Sequence, residues 1–309
     1  MIDFSIIVCT YNRYELLHNC LTHLEGLTHS HSKNFEIIVV DNTSSKDRQD
    51  LPWLRNFVNT KLVVEERTGL SAARNMGIRL ATGSILIFLD DDVEVHPDWL
   101  DQLAIAFKEN PSAQLIGGKV LAKYGSMPRP LWMSAKCEAL LSCVDWGNET
   151  RLALTTELLV GANSSYRRDV FDSYGLFRTN LGRKGEATLL SNEESELNAR
   201  IPNSAKYYCG RAVVNHVIPP SRLKMQWFRR RVFWQAISDV MSEAEATINR
   251  DRIFDTFIAD VLRSPAEHRT VKNLFYHCET SQEFDHQLNQ IYRHTIAMSV
   301  EGKSWDELL

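Results

Sequence analysis

"ILIFLDDDVEV", residues 85–95, decides how the rest of the chain is read. Five apolar residues, Ile85 to Leu89, run straight into Asp90, Asp91 and Asp92. A near-continuous apolar run suits a strand covered on both faces, as in a parallel sheet. Three adjacent carboxylates repel one another, so their place at the end of a buried strand needs a cause. A single Asp is an ordinary turn residue, but a triplet stores repulsion that a turn does not require. A divalent cation relieves it. Carboxylate oxygens suit Mg2+ or Mn2+, and Mg2+ commonly takes one or two carboxylates and completes its shell with substrate phosphates. The triplet therefore reads as half of a metal–diphosphate site.

Working outward, "FSIIVC" (4–9), "FEIIVV" (35–40) and "KLVVEE" (61–66) are further short apolar runs rich in Ile and Val. Helical patterns lie between them. Residues 13–27 place Leu16, Leu17, Cys20, Leu21 and Leu24 on one helix face. Residues 69–83 are Ala-rich, with Gly83 expected to close the helix. The order β-α-β-(α)-β-α-β predicts an α/β fold, a doubly wound, mostly parallel sheet flanked by helices. Thr10, Tyr11 and Asn12 follow the first strand, Asp41 and Asn42 the second, and the aspartates the fourth. Ligands of open parallel sheets bind beyond the carboxyl ends of the strands, so three strands aim polar groups at one edge. For Asp41 alone, an ordinary turn explains the residue equally well.

Composition narrows the class. The chain has 309 residues, 44% hydrophobic and 24% charged, with a formal net charge of −4. That balance argues against nucleic acid as a partner, which calls for a basic footprint. Six cysteines at 9, 20, 137, 143, 209 and 278 form no CxxC pair, which suits a reducing cytosol. The first residues lack a basic start and a long apolar run, so no signal peptide is expected. No stretch reaches the roughly 20 apolar residues of a spanning helix. The expected location is the cytoplasm, with peripheral contact at the inner face of the membrane left open; the oligomeric state is not legible.

Competing nucleotide and phosphoryl sites lack their signatures. "CTYNRYE" after the first strand contains no glycine, and GxxxxGK[ST] is absent. An aspartyl-nucleophile phosphatase would favour Thr or Val where Glu94 stands, usually with the motif on the first strand.

Six stretches, in order, carry a resemblance: "SIIVCTYNR" (5–13), "IIVVDNTSSKD" (37–47), "RTGLSAARNMGIRLATGSILIFLDDDVEVHPDWL" (67–100), "LVGANSSYRRDVFDSYGLF" (159–177), "NEESELNAR" (192–200) and "AVVNHV" (212–217). Together they resemble a family 2 glycosyltransferase of the GT-A fold. Two positions depart from the family pattern: Cys9 stands where Pro is usual, and Glu193-Glu194 where Glu-Asp is usual. The resemblance implies a nucleotide-sugar binding and catalytic domain over 1–220 and a helical extension over 221–309. Thr10, Tyr11, Asn12 and Arg13 would line the nucleotide pocket, and Asp41 would accept a hydrogen bond from the base, usually uracil. Arg74 would sit near the diphosphate, although a solvated helix charge explains it too. Asp90 and Asp91 would meet the ribose and phosphate side, and Asp92 would take the Mn2+ or Mg2+. The late His216 would be a further metal ligand; a lone His after a strand is otherwise a loop or core residue.

Sugar transfer needs a base, because a free alcohol is a poor nucleophile and a carboxylate within reach takes its proton. "LLSNEESELNAR" supplies Glu193, Glu194 and Glu196. On a helix Glu193 and Glu196 share a face, and Glu194 points elsewhere with Leu197 and Asn198. A structural account also exists: Asn192 capping a helix whose acidic first turn complements the dipole. The family position of the catalytic carboxylate aligns with Glu194, with Glu193 in reserve, and a single base with direct displacement gives inversion. In "GANSSYRRD" (161–169), Gly161 and Ala162 permit close backbone approach, and Asn163 is expected to donate to a sugar hydroxyl on the acceptor floor.

After Pro220 the sequence changes character. "SRLKMQWFRRRVFWQAISDV" (221–240) mixes Arg229, Arg230 and Arg231 with Trp227, Phe228, Phe233 and Trp234. Met225, Phe228, Val232, Ala236 and Val240 form one apolar face. Either this helix packs on the body with a solvated basic edge, or it meets a lipid diphosphate or anionic membrane. Trp132 and Trp146 suit sugar stacking or core equally. The sequence points to an inverting, metal-dependent transferase, with a UDP-sugar as donor and a saccharide or lipid-linked oligosaccharide as acceptor. A sugar nucleotidylyltransferase would want a Gly-rich, basic signature after strand one. A non-catalytic sugar-nucleotide module would have lost carboxylates that are all present.

Overall fold

The computed structural model describes residues 4–27, 34–185, 188–242, 259 and 274–300. Four apolar runs form the parallel half of a nine-stranded sheet: β1 (Phe4–Thr10), β2 (Phe35–Asp41), β3 (Thr60–Val64) and β4 (Ile85–Asp90), in the order β3-β2-β1-β4. Register aligns their carboxyl ends. Thr10 lies opposite Asp41, and Cys9 opposite Asp90. Alternate residues of β1 face opposite layers, as the strand period requires. Phe4, Ile6 and Val8 join a core with α1 (Tyr14–Glu25) and α3 (Trp99–Glu109), whereas Ile7 and Cys9 join one with α2 (Leu70–Leu80). Both faces of β1, β2 and β4 are covered, which explains their continuous hydrophobicity.

Beyond β4 the sheet turns antiparallel. β8 (Asn163–Arg167) pairs with β4, and β6 (Leu115–Tyr124) with β8. The long β9 (Lys206–Ile218) follows, antiparallel to the short β5 (Val93–Val95) and β7 (Thr150–Leu152). The Asp triplet is thus the junction where the chain leaves β4 and restarts as β5, and that restart sets Val93 opposite His216. Two local expectations need correction. Between β2 and β3 stands only a 3-10 turn, Pro52–Asn56, rather than a longer helix. Gly83 does not close α2: the helix stops at Leu80, Ala81 is extended, and the Gly83 N–H donates to Ser5 Oγ at 2.8 Å.

The chain divides into two compact units. The first comprises Met1–Lys123, Ser142–Ala187 and Glu193–Ile218 and holds the sheet. The second comprises Tyr124–Leu141, Thr188–Asn192 and Pro219–Leu309. Its described helices are α4 (Ala135–Leu140), α7 (Met225–Ser242) and α8 (Ser281–Val300); α5 (Asp169–Tyr174) and α6 (Glu193–Arg200) belong to the first unit. In the second unit Trp132 meets Phe228 and Phe284 edge-on, with centroids 5.7 and 5.1 Å apart, so it serves this unit's packing and is not a platform for a sugar. Trp146, in the first unit, packs beside Tyr208 against the core.

Arg229 is turned inward. Its Nε donates to Gln287 Oε1 at 2.7 Å and its Nη2 to the Tyr276 carbonyl at 2.9 Å. Arg230 is exposed. Asn192 also belongs to the second unit. It has φ 74, its Nδ2 donates to Asp239 Oδ1 at 2.6 Å, and Gln235 Nε2 donates to its Oδ1 at 2.8 Å. These bonds occupy the side chain expected to cap α6. Among the described residues, no helix is long and apolar enough to cross a membrane. All six cysteines are free thiols. Of the helical extension expected over 221–309, residues 243–258, 260–273 and 301–309 lie outside the described residues.

Candidate active site

Elements from across the sheet converge on the carboxyl edge. Asp41, at the end of β2, is buried, with Oδ2 accepting from Tyr14 Oη at 3.0 Å and Oδ1 from the Thr43 N–H at 2.9 Å. Thr43 Oγ1 in turn accepts from the Asn12 N–H at 2.7 Å, which holds Asn12 at φ 52. Asn42 ties the same edge to α2: its Oδ1 accepts from the Gly69 N–H at 2.7 Å and its Nδ2 donates to the Glu65 carbonyl at 2.6 Å. Tyr14, Thr43 and Asn42 were not singled out as site residues, since their roles depend on partners that folding alone brings near. Tyr11 is half-buried beside this edge and Asn12 is exposed.

The triplet separates into three environments. Asp90 is partly exposed, with 29% of its side-chain surface accessible. Asp91 is fully buried, accepts from Thr10 Oγ1 at 2.7 Å and pairs with Arg13. Burial pushes its carboxyl up to about 6, against the pull of Arg13 and aided by the Asp92 charge. Asp92 takes a bond from Arg13 Nη1 at 2.7 Å on one oxygen and faces His216 Nε2 at 3.3 Å with the other. Arg13 thus bridges Asp91 and Asp92. The sequence account held that a cation must relieve the triplet; here a guanidinium supplies part of that charge.

Residues 119 apart in sequence build the second cluster. Arg74, one turn into α2, is buried. It donates from Nη1 to Glu193 Oε1 at 2.7 Å, and its Nη2 lies 3.4 Å from Asp90 Oδ1. Glu194 Oε2 is 3.9 Å from Nη1. Phe177 and Phe88 flank the guanidinium, with centroids 5.6 and 6.0 Å away. Its reading as a solvated helix charge is therefore set aside. A Cβ on Gly161 would lie 2.5 Å from Arg74 Nη2, so only glycine lets the backbone approach this group. The Gly161 N–H points at Glu194 Oε1, 3.4 Å away.

The two glutamates divide their roles. Burial, then the neighbouring Glu194 charge, pushes the Glu193 carboxyl up to about 8 despite Arg74. Burial also opposes ionisation of Glu194, but Arg74, a hydrogen bond from Glu193 and the Gly161 N–H outweigh it and hold Glu194 below the ordinary range. The two opposite directions favour the proton on Glu193, the more buried partner. Glu194 keeps 17% of its side-chain surface exposed. The structure brings both onto Arg74, because Glu193 opens α6 and the helical spacing argument fails at a first residue. Glu196, expected to share a face with Glu193, pairs instead with Arg200.

The acceptor expectation needs one correction. Asn163 is fully buried, accepts from Trp99 Nε1 at 3.0 Å and donates to the Lys119 and Ala212 carbonyls at 3.1 and 2.9 Å. Both its donor hydrogens are committed, so it joins strands and does not meet a sugar. Ala162 is buried in the core beside it. The thiol of Cys9, next to Asp90 in register, is pushed up to about 12 by burial and is no nucleophile.

A divalent cation fits the residues present. The carboxylate of Asp92 and the imidazole of His216 are both buried and face each other, an oxygen–nitrogen pair compatible with Mn2+. Among the described residues no set of three or more such side chains is arranged to hold a metal unaided. That suits an ion that shares its shell with substrate phosphates.

With this geometry in hand, the chain belongs to glycosyl transferase family 2, whose sequence pattern matches residues 5–175. The glucosyl-dolichyl phosphate glucuronosyltransferase of Haloferax volcanii is 31% identical over 244 residues, covering 76% of this chain and 75% of that protein. The succinoglycan biosynthesis protein ExoM of Rhizobium meliloti is 26% identical, covering 75% and 72%. Among solved structures, S. aureus TarS 1–349 in complex with UDP-GlcNAc matches with a TM-score of 0.55 at 15% identity, over 98% of this chain and 93% of that one. GalNAc-T7 with UDP, GalNAc and Mn2+ matches at 0.51 and 16%, over 76% and 51%. The fold is the GT-A type, and the protein is a glycosyltransferase.

Proposed function

We propose that this chain transfers a sugar, with inversion, from a UDP-sugar to a saccharide or lipid-linked acceptor. One observation carries the reading: Arg74 joins the Asp90 edge, where a nucleotide would lie, to the adjacent carboxylates of Glu193 and Glu194. Glu194, ionised and partly exposed, takes the acceptor hydroxyl's proton. Glu193 and Arg74 hold that carboxylate in place. Asp41 and Tyr11 flank the base, and Asp90 and Asp91 the ribose and phosphate side. Asp92 and His216 would hold the cation, which when bound supplies Lewis acidity to the departing diphosphate. The named activities of the Haloferax and Rhizobium relatives favour a lipid-linked or polysaccharide acceptor. A nucleotidylyltransferase has no use for a base beside Gly161.

The test is a donor screen by thermal shift, with and without MnCl2, followed by transfer assays on dolichyl- and polyprenyl-linked saccharides. A UDP-sugar that stabilises the protein only with Mn2+, and a product of inverted anomeric configuration, is expected. Full transfer in excess EDTA would overturn the metal role, and a retained configuration would overturn the single-base mechanism.

A further inference from the structure

Residues 181–185 form a strap that runs from beside Glu193 to beside Tyr11. Its residues 182–185 read Gly-Arg-Lys-Gly. Both glycines occupy the left-handed region, Gly182 at φ 83 and Gly185 at φ 62, so two tight turns bracket two cations. The strap is fixed to the first turn of α2. The Leu70 N–H donates to the Arg183 carbonyl at 2.9 Å, and Ser71 Oγ to the Leu181 carbonyl at 2.8 Å. A Cβ on Gly182 would stand 3.2 Å from Glu193 Oε2, and one on Gly185 3.2 Å from Tyr11 Oη. Lys184 Cγ lies 3.8 Å from the position of a Gly69 Cβ. Lys184 is exposed and Arg183 half-buried.

The ends of the strap mark the ends of a nucleotide sugar. Tyr11 belongs to the nucleotide edge, and Glu193 adjoins the base that meets the sugar. The diphosphate is the part of such a ligand that links these two places, so its path runs by Arg183 and Lys184. Charge points the same way. Asp90, Asp91, Asp92 and Glu194 stand against Arg13 and Arg74. A divalent ion does little more than offset a diphosphate's own charge, so phosphate binding in this field calls for further cations.

The geometry points to Arg183 and Lys184 as diphosphate-binding residues of the donor site, holding the pyrophosphate as the sugar departs. This rests on the donor being a nucleoside diphosphate sugar. Calorimetric titration of UDP and of UMP, each with MnCl2, tests it in the wild type, Arg183→Ala, Lys184→Ala, the double variant and Lys184→Arg. Charge-assisted contacts of this kind predict a loss of UDP affinity on the order of tenfold in each alanine variant. UMP affinity should change much less, Lys184→Arg should retain UDP binding, and melting of the ligand-free variants should match the wild type. Equal losses for UDP and UMP, or none, would overturn the inference while leaving the donor reading intact. A wild type that binds neither nucleotide would overturn both.

Discussion

Glu194→Gln is the substitution on which the mechanism turns. Gln has nearly the size of Glu, so it can keep the contact with the Gly161 N–H at 3.4 Å and the packing of the first turn of α6. It removes the charge that accepts a proton, and with it the ionic contact to Arg74 at 3.9 Å. General-base participation contributes about 10²- to 10⁴-fold, so turnover should fall by that factor while the donor KM barely moves. Glu193→Gln is the contrast. Burial keeps Glu193 protonated until about pH 8, so at neutral pH a neutral amide replaces a neutral acid. Its oxygen can still accept from Arg74 Nη1, at 2.7 Å in the wild type. The remaining cost is one imperfect hydrogen bond, about tenfold or less in rate.

The pH profile separates the two residues further. Glu194 lies below the ordinary value of 4.5, so its loss of charge confines the acid limb to below that pH. As pH rises through about 8, Glu193 ionises and sets a second negative charge beside Glu194 and Asp90, giving an alkaline limb that Glu193→Gln should abolish. Stability follows the same proton. Folded Glu193 holds it to about 8, against 4.5 when unfolded, so the folded state binds more protons between these values. Its contribution is fully present below 4.5 and is lost as pH rises through about 8; the variant should flatten that slope in urea melts. Initial rates at saturating donor across this range, with melts in parallel, provide the assay. If Glu194→Gln kept near-wild-type turnover while Glu193→Gln were dead, the base would be Glu193. If both stayed active, the pair would be structural.

Four further outcomes are expected. Asp92→Asn and His216→Ala should each abolish the Mn2+-dependent part of UDP-induced thermal stabilisation while leaving the far-UV circular dichroism of the ligand-free protein unchanged; stabilisation persisting in both would place the ion elsewhere. Gly161→Ala sets a Cβ 2.5 Å from Arg74 Nη2, so it should cost about 1–3 kcal/mol of stability by overpacking and lower turnover as well, readable by calorimetry and initial rates. Arg229→Ala breaks bonds to Gln287 and Tyr276 and should lower stability by about 1–3 kcal/mol. Arg230→Ala, at an exposed position, should leave stability alone and weaken salt-sensitive binding to anionic vesicles.

How much of this was legible follows from where each signal resides. β1, β2 and β4 are buried on both faces, so their sequences are largely apolar and announce themselves, whereas β3 at the sheet edge is only partly buried. β8 carries "NSSYR", a polar string within a stretch that reads as a strand and turn, yet Asn163, Ser164 and Ser165 are all buried. Neighbouring strands satisfy Asn163, and no local pattern reveals that. The same cause produced the error about its function. A buried polar side chain and a ligand-binding one look alike until its partners, 44 to 64 residues away, are placed. β5 is three residues long and exists because β9 pairs with it, so the Asp triplet read as a strand end although it is a junction.

The carboxylates themselves were legible, because adjacent like charges are costly and demand a reason. Their partners were not. Arg13 was assigned to the nucleotide, yet in the fold it bridges Asp91 and Asp92. A cation entering beside Asp92 would compete with that bond. Arg74 differs. Aromatic rings and Gly161 enclose it, and Glu193 holds it at 2.7 Å. A guanidinium so confined has little freedom to follow a ligand. Arg13, by contrast, keeps 33% of its side-chain surface exposed, against 4% for Arg74.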